Sequence, residues 1–409
     1  MSAPILSARF DPLSPEQREN PFDVLALARR EQPVFYAPEL DLWVVTRYDD
    51  VLEVLKDHRS LSSTGALKSA SAPLPPEVVA VLAEGHPEMP YIIEIDPPLH
   101  DRIRGLVTKA FTPRRIGALE PTVHRIVDEL LDDLPADGEA DIVENFAWPL
   151  PLRVLGHLLG LPRDDLAQLH EWGNDWMLVQ QDGPLEQRLQ HARGTVALQR
   201  YFVAAVEQRE QEPSDDLIGA LVAARPETDP PLTNVEIAGL PLDLMVAGHV
   251  TVTRAIGSTL RLLFAYPQLR DHLLDAERAP RAIEEVLRLE SPAQGLFRTA
   301  TRDVVVGGAT IPSGARIMAH FASANRDEGV FEEPVSCRPE RDELARHVAF
   351  GKGIHFCIGA PLARLELAVA LPALLTRLPN LRPASAPAVR EPLFFARGFA
   401  TLPVAWGAA

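Results

Sequence analysis

The segment AFGKGIHFCIGAPLARLELAVALPALL (349–375) carries the most information in this 409-residue sequence. Gly351, Gly353 and Gly359 flank Cys357, and glycines let a backbone reach positive φ and approach a flat ligand closely. Pro361 suits the first position of a helix, and the residues after it repeat with a helical period. The segment therefore predicts a cysteine on a tight loop just before a helix. There the helix dipole and free N–H groups favour a thiolate over a thiol.

Taken alone, Cys357 has other interpretations. Most isolated cysteines are small buried residues. A cysteine nucleophile would need a base, and His355 is only two residues away, where its side chain would not naturally reach the sulfur. A zinc site would need more Cys and His residues at ligand spacing, and these are absent from the sequence.

Composition limits the class of protein. Hydrophobic residues make up 46% and charged residues 24% of the chain, which is ordinary for a globular protein. Two cysteines are too few for a disulfide scaffold. The net charge of −17 argues against nucleic-acid binding, which needs a cationic surface. We see neither a signal peptide nor an apolar run of about 18 residues, so we expect a cytoplasmic protein without membrane association.

The pattern of apolar residues predicts mostly helices with a few short strands. Strands are predicted at 43–46, 303–311 and 399–406, and helices at 124–134, 164–177, 193–210 and 214–224. A long helix is predicted from Thr233 to about Tyr266. Thr233 and Glu236 form a capping box at its start, and Pro241 and Gly248 lie inside it. Either this helix is simply kinked, or it is distorted where a ligand approaches.

The pattern Phe350-Gly351-x-Gly353-x-His355-x-Cys357-x-Gly359 resembles the heme-binding signature of the cytochrome P450 family. The resemblance implies a mainly α fold with small β-sheets, formed by residues 1–409 as one heme domain without a fused reductase. It implies that Cys357 is the metal ligand of heme b. Phe350, Gly351, His355 and Gly359 would be cofactor-binding residues beside it. No flavin or iron–sulfur centre is expected in the chain.

Further motifs agree with this resemblance. Glu285 and Arg288 resemble the family's Glu-x-x-Arg motif, and Arg341 would be the third member of that buried salt-bridge motif. Here Cys337 stands where the family usually has an aromatic residue. The resemblance also implies that four side chains bind the heme propionates: His100, Arg104, Arg298 and His355. Cationic donors suit this role because charge-assisted hydrogen bonds hold carboxylates.

The stretch LMVAGHVTVTRAIGS (244–258) resembles the family's oxygen-binding helix. Ala247, Gly248 and Thr251 match the catalytic positions, where Gly248 would open a groove for O₂ and Thr251 would help to deliver protons. Val250 replaces the usual acid and cannot relay protons. Proton delivery would then be slow, or use His249, Asp243 or the substrate. A further alternative is that hydrogen peroxide is the oxidant.

By resemblance to the family, the substrate pocket is lined by Leu244, Val250, Gln294, Leu296 and Phe395. Most of these residues are apolar, which predicts a small apolar organic substrate. Electrons would come from an acidic ferredoxin or flavodoxin with its NAD(P)H reductase. Such a partner would dock on a cluster of cations that the family places on the thiolate face: Arg102, Lys109, Arg114, Arg115, Arg346 and Lys352.

We therefore expect a heme-thiolate monooxygenase that inserts one oxygen atom of O₂ into its substrate. The first alternative is a peroxygenase driven by hydrogen peroxide. The second is a non-catalytic heme protein that binds small ligands.

Overall fold

The computed structural model describes residues 9–67, 73–181, 183–393 and 395–407. Helices follow one another along most of the chain. In chain order they are α1 (Pro15–Glu19), α2 (Phe22–Glu31), α3 (Tyr48–Lys56), α4 (Pro76–Leu82), α5 (Leu99–Ala110), α6 (Pro113–Gly117), α7 (Glu120–Asp132), α8 (Pro149–Leu159), α9 (Leu166–Leu178), α10 (Leu185–Gln211), α11 (Leu217–Ala224), α12 (Asn234–Ala265), α13 (Leu269–Leu274), α14 (Ala279–Leu289), α15 (Phe321–Ala324) and α16 (Ala360–Arg377). A π-helical turn spans Val143–Ala147.

The strands are short. They are β1 (Val34–Ala37), β2 (Leu42–Val45), β3 (Leu61–Ser62), β4 (Gly138–Asp141), β5 (Leu296–Ala300), β6 (Val304–Val306), β7 (Ala309–Ile311), β8 (Arg316–Ala319), β9 (Arg382–Pro383), β10 (Val389–Arg390), β11 (Phe399–Thr401) and β12 (Pro403–Trp406). The largest sheet has the order β1-β2-β8-β5-β3, in which only β2 and β8 run parallel. The smaller sheets are β4-β12-β9, β6-β7 and β10-β11. The predicted fold class, mainly helical with small sheets, is confirmed.

The chain forms two compact units. The first comprises residues 1–62, 123–150 and 251–409, and the second comprises residues 63–122 and 151–250. In the first unit, the β-sheet packs on α3 through a core that includes Val51, Ile317, Phe321 and Phe331. In the second unit, α10 packs on α9 and α4, and a small core contains Val78, Val179 and Ala192.

Helix α12 begins as its sequence predicts. The Thr233 backbone N–H donates to Glu236 Oε2 at 2.7 Å, and the Glu236 backbone N–H donates to Thr233 Oγ1 at 3.2 Å. These reciprocal bonds satisfy two N–H groups that a helix start leaves without partners. The capping box is therefore confirmed, and the helix continues through Pro241 to Ala265.

The predicted strand at 303–311 is a hairpin of β6 and β7. Gly307 and Gly308 form its turn at φ values of 55° and 81°. Such a two-residue turn needs positive φ at both central positions, which glycine adopts without strain. The predicted strand at 399–406 is divided into β11 and β12 around Leu402.

Helix α12 is long enough and apolar enough to cross a membrane. The sequence analysis had found no apolar run of that length. An 18-residue window within it has a mean hydropathy of 1.4, and 56% of that window is buried inside the protein. A buried core helix passes the same test, so this property alone is weak support for a membrane span.

Candidate functional site

The loop that carries Cys357 is closed by its own backbone. The Cys357 N–H donates to the Phe350 carbonyl oxygen at 2.9 Å, which brings the two residues together. Gly351 and Gly353 turn the loop at φ values of 70° and 77°. A Cβ atom at Gly353 would lie 2.5 Å from the Leu55 carbonyl oxygen, so only glycine fits there.

Helix α16 begins three residues after Cys357, with Gly359 as its N-cap and Pro361 in its first turn. Cys357 itself is half-buried. The partial positive charge of a helix N-terminus favours the thiolate form of a nearby cysteine. The predicted position of this cysteine, on a tight loop before a helix start, is confirmed.

The cationic side chain of Arg364 lies beside this loop, and the sequence analysis did not identify it. Arg364 donates two hydrogen bonds to Glu284, at 2.6 and 2.8 Å, and its guanidinium carbon lies 4.4 Å from the Phe350 ring centroid. His347 Nε2 lies 2.7 Å from the same carboxylate. Burial opposes ionisation of Glu284, but the bonds from Arg364 and His347 outweigh it and lower its pKa to about 2.

The pKa of Arg364 is raised, first by its hydrogen bond to Glu284 and further by the charge of Cys357. Its positive charge would therefore favour the thiolate form of Cys357. Arg364 lies seven residues after Cys357, just over one turn into helix α16, and that spacing was the only sequence signal for it.

Glu285, Arg288 and Arg341 come together as the sequence predicted. Arg288 donates to both oxygens of Glu285 at 2.7 and 2.8 Å, and Arg341 Nε lies 3.1 Å from each of them. The exposed fractions of the three residues are 0%, 0% and 3%. The Arg338 backbone N–H adds a further bond to Glu285 at 2.8 Å. A single buried carboxylate thus fixes helix α14 to the segment 338–341.

The remaining predicted cofactor ligands occupy both units. In the first unit, Arg298 lies on β5 and is 3% exposed, and its Nη1 donates to the Phe297 carbonyl oxygen at 2.7 Å. His355 lies in a 3₁₀ turn, Gly353–His355, and is half-buried. In the second unit, His100 and Arg104 are one turn apart on α5. His100 is buried, and its Nδ1 lies 2.9 Å from Asp101 Oδ1.

One face of helix α12 is less buried than the rest of the helix. Between Ile237 and Leu260 every residue is buried except five. These are Leu244, Ala247, Gly248, Val250 and Thr251. At about 100° per residue, four of them (244, 247, 248 and 251) fall within one stripe about 100° wide, and Val250 lies at its edge. This partly exposed stripe, in which Ala247 and Gly248 are small, leaves room for a flat apolar ligand such as heme.

Gly248 and His249, which are neighbours on α12, have different surroundings. A Cβ atom at Gly248 would lie 3.2 Å from Leu155 Cδ1, so Gly248 also lets α12 pack closely on α8. His249 is buried and packs edge-on against His170, with ring centroids 5.1 Å apart. Two residues correspond to about 200° around a helix, so His249 points away from the side of Thr251.

Asp243 has a different environment. Its Oδ2 accepts a hydrogen bond from the Ile92 backbone N–H at 2.6 Å. Burial raises its pKa well above the usual value for Asp, and the nearby charge of Glu94 adds to this. Burial therefore favours the protonated form of Asp243, which lies two turns before Thr251 on the same helix.

Three of the predicted substrate-pocket residues meet in the first unit. The Gln294 backbone N–H donates to the Phe395 carbonyl oxygen at 2.8 Å. Phe395 packs against Phe297, with ring centroids 6.4 Å apart, and Leu296 is the first residue of the same strand. The other two, Leu244 and Val250, lie on α12.

The cations predicted to bind a redox partner are partly neutralised in the second unit. Their acidic neighbours are Glu236, 3.6 Å from Arg102; Glu227, 2.5 Å from Lys109; and Asp215, 3.7 Å from Arg115. Exposed pairs of this kind are weak. They reduce the local positive charge that the sequence suggested.

Glu366 on α16 is a buried carboxyl group that leads to a prediction about stability. It is 1% exposed, and its Oε2 has no hydrogen-bond partner among the described residues. Burial raises its pKa well above the usual value. The folded protein therefore keeps a proton that the unfolded chain has released, so the free energy of unfolding falls as pH rises from the ordinary Glu pKa toward the raised one.

We expect Glu366→Gln to weaken this pH dependence. Between about pH 5 and about pH 8, the free energy of unfolding should fall less in the variant than in the unaltered protein. Urea unfolding at both pH values measures this difference. The exposed Glu207→Gln serves as the control, and equal slopes in all three proteins would contradict the raised pKa.

Comparisons with known proteins agree with this arrangement. Residues 279–393 match the family model described as Cytochrome P450. The chain is 37% identical to Cytochrome P450 107B1 of Saccharopolyspora erythraea, covering 98% of this chain and 97% of that protein. It is 37% identical to Mycinamicin IV hydroxylase/epoxidase of Micromonospora griseorubida, covering 90% of each. The solved structure of Cytochrome P450 CYP109Q5 from Chondromyces apiculatus has a TM-score of 0.86 and 36% identity, over 98% of both chains.

Proposed function

Because this chain belongs to the cytochrome P450 family of monooxygenases, we propose that it inserts one oxygen atom of O₂ into a small apolar organic substrate, and that the thiolate of Cys357 would hold the iron of heme b. The observation that carries this proposal is the environment of Cys357: a half-buried thiol on a glycine-turned loop, directly before a helix N-terminus. Bound heme would supply the redox chemistry that activates O₂.

The donors of this chain suit such a cofactor. Cys357 offers one thiolate, and the cationic Arg364 favours its deprotonated form. His100, Arg104, Arg298 and His355 would hold the propionates, a role that rests on their resemblance to family positions. Among the described residues, no group of three or more His, Cys, Asp or Glu side chains could hold a metal ion by itself. A single thiolate suits a metal whose other ligands come from a porphyrin.

The partly exposed stripe of α12 supports the roles proposed for the residues that form it. Ala247 and Gly248 are small enough to let a flat ligand and O₂ approach the helix. The Thr251 hydroxyl can hold and pass on a proton at this surface. Leu244, Val250, Leu296 and Phe395 would exclude water and bind apolar carbon, while Gln294 adds one polar group to the pocket.

We propose that residues 1–409 act as one heme domain, and that the protein acts in the cytoplasm.

Electrons would come from separate proteins, since the proposal assigns no flavin or iron–sulfur centre to this chain. We propose an acidic ferredoxin or flavodoxin with its NAD(P)H reductase. Positive groups on the thiolate side would steer such a partner, and the rate of reduction should fall with salt.

The main experiment is a ligand screen read by the spin-state shift of the heme spectrum, followed by turnover with surrogate ferredoxin and reductase. We expect isotopically labelled O₂ to place one labelled atom in the product. Consumption of NAD(P)H without any product, for every ligand that shifts the spectrum, would contradict the proposal and favour a non-catalytic ligand-binding protein.

A second function is favoured by one residue. Val250 removes the carboxylate that usually precedes the catalytic threonine, which suggests a hydrogen-peroxide-driven peroxygenase as the alternative. Product formed from labelled hydrogen peroxide without redox partners, at rates above those with O₂ and partners, would establish this alternative.

We expect Val250→Glu to improve the coupling of electrons to product. A carboxylate next to Thr251 could relay protons, and Val250 is already only partly buried, so a charged side chain can be solvated there. The ratio of product to NAD(P)H consumed should rise several-fold, and release of hydrogen peroxide should fall. Val250→Leu is the matched control without an ionisable group. Equal coupling in the Glu and Leu variants would show that protons reach Thr251 by another path.

A further inference from the structure

A small cavity of about 30 Å³ lies in the first unit, between α1, the start of β5 and the β10–β11 hairpin. Its lining includes Arg18, Gln294, His320, Arg390 and Glu391. A cavity of this volume has room for one or two particles of the size of a water molecule. None of the proposed catalytic steps uses this space.

Three buried polar atoms of the lining residues have no hydrogen-bond partner in the described part of the chain. They are Arg18 Nε, Arg390 Nη1 and Gln294 Oε1. Gln294 is 3% exposed, and its Nε2 is already committed to the Ser291 carbonyl oxygen at 2.7 Å. Two of the three atoms are donors on positively charged guanidinium groups. Buried charged donors without partners are costly, so an acceptor is expected in the cavity.

The charges around the cavity favour a negative acceptor. Glu290 is 7% exposed, pairs with Arg397 Nε at 2.6 Å and lies 3.6 Å from Arg326. Arg390 Nη1 lies 4.0 Å from Glu290 Oε2, beyond hydrogen-bond distance, so this nitrogen has a counter-charge nearby but no acceptor among the described residues. Arg390 also pairs with Glu19 at 2.9 Å. Arg254 neutralises the charge of Glu391 by donating two hydrogen bonds to its Oε2, at 2.9 and 2.6 Å.

The network as a whole has more positive than negative charge. It contains five arginines (18, 254, 326, 390 and 397) and three glutamates (19, 290 and 391), an excess of two positive charges. His320 in the lining adds none, because burial lowers its pKa to about 3.

We propose that this cavity binds a small monovalent anion of the size of chloride. Arg18 Nε and Arg390 Nη1 would donate to the anion, and a water molecule would bridge it to Gln294 Oε1. The site does not depend on heme or on the proposed function. It would attach α1 to β10, beside the segment 395–398, which is held by the hydrogen bond from the Arg397 backbone N–H to the Pro292 carbonyl oxygen at 2.9 Å.

Thermal unfolding of the full-length protein at constant ionic strength tests this site. When gluconate is replaced by chloride or bromide, the melting temperature should rise with the logarithm of the halide concentration above the dissociation constant, because a ligand that binds only the folded state stabilises it by mass action. Arg390→Met should raise the chloride dissociation constant obtained from this concentration dependence about tenfold or more, since it removes one charged hydrogen bond. Arg382→Met is the matched control, because Arg382 lies outside the cavity lining and its Nη1 bonds only the Asn380 carbonyl oxygen.

A second measurement keeps the proposal testable if Arg390→Met does not fold. Crystals of the unaltered protein grown in bromide should show an anomalous scattering peak within hydrogen-bond distance of both Arg18 and Arg390. No peak there, together with a linear salt response that is equal for chloride and gluconate, would mean that the cavity holds water and would overturn the proposal.

Discussion

The Cys357→Ala variant is expected to lose the red-shifted spectrum that carbon monoxide gives with a thiolate-ligated ferrous heme, and with it all monooxygenase activity. Alanine cannot coordinate iron, and the loop that presents Cys357 is held by the Phe350 carbonyl and turned by Gly351 and Gly353. No neighbouring residue of that loop can supply a second thiolate, because the chain has only two cysteines. The measurement is the carbon monoxide difference spectrum of the purified, reduced protein.

Cys337→Ala is the matched control for this experiment. Burial, with the charge of Glu285 adding to it, raises the pKa of Cys337 to about 12, so this residue remains a thiol. We expect its loss to leave the spectrum unchanged. A thiolate-type spectrum that persists in Cys357→Ala, or that disappears in Cys337→Ala, would contradict the assignment of the axial ligand.

Features that depend on local chemistry were predictable from the sequence. The capping box of α12 needs only Thr233 and Glu236, three residues apart, and both of its bonds are present. The turn of the β6–β7 hairpin needs two residues at positive φ, and the sequence has Gly307-Gly308 there. The position of Cys357 before α16 follows from glycines and a proline within a few residues of it. In each case the determining residues are close together in the chain.

Contacts between distant residues could not be read from the sequence in the same way. Arg364 and Glu284 are 80 positions apart, and Arg254 and Glu391 are 137 apart. Each of these residues, taken singly, has the sequence signature of a solvated surface charge. Only the fold brings them together and buries them, so neither the cation beside Cys357 nor the charge network around Glu290 was predicted.

The role of helix α12 could be predicted from the sequence only in part. The resemblance to the P450 family predicted the importance of Ala247, Gly248 and Thr251, but a helical period could not show which face would lack cover. The structure leaves those three residues partly uncovered, with Leu244 and Val250, on a helix whose other central residues are buried. It also shows that Gly248 faces Leu155, a packing constraint that the sequence pattern does not contain.

The buried salt-bridge motif gives the second large effect: Glu285→Gln should destabilise the fold severely. The change keeps the shape of the side chain but leaves Arg288 and Arg341 buried without their counter-charge. Removal of one partner from a buried ion pair costs about 3–5 kcal/mol. A typical domain has only about 5–15 kcal/mol of stability in total, so heme-loaded protein should become scarce.

Urea unfolding of the purified variant, with the heme content of the soluble fraction, measures this loss. The matched control is Glu332→Gln, whose carboxylate is 73% exposed and pairs with Arg338 at 3.2 Å on the surface; this change should cost less than about 1 kcal/mol. Arg288→Lys should lie between the two, because lysine keeps the charge but cannot make the paired bonds to both oxygens of Glu285. If Glu285→Gln unfolds at the same urea concentration as Glu332→Gln, the buried charges are not what holds α14 to the segment 338–341, and the packing of the apolar side chains around them must do so instead.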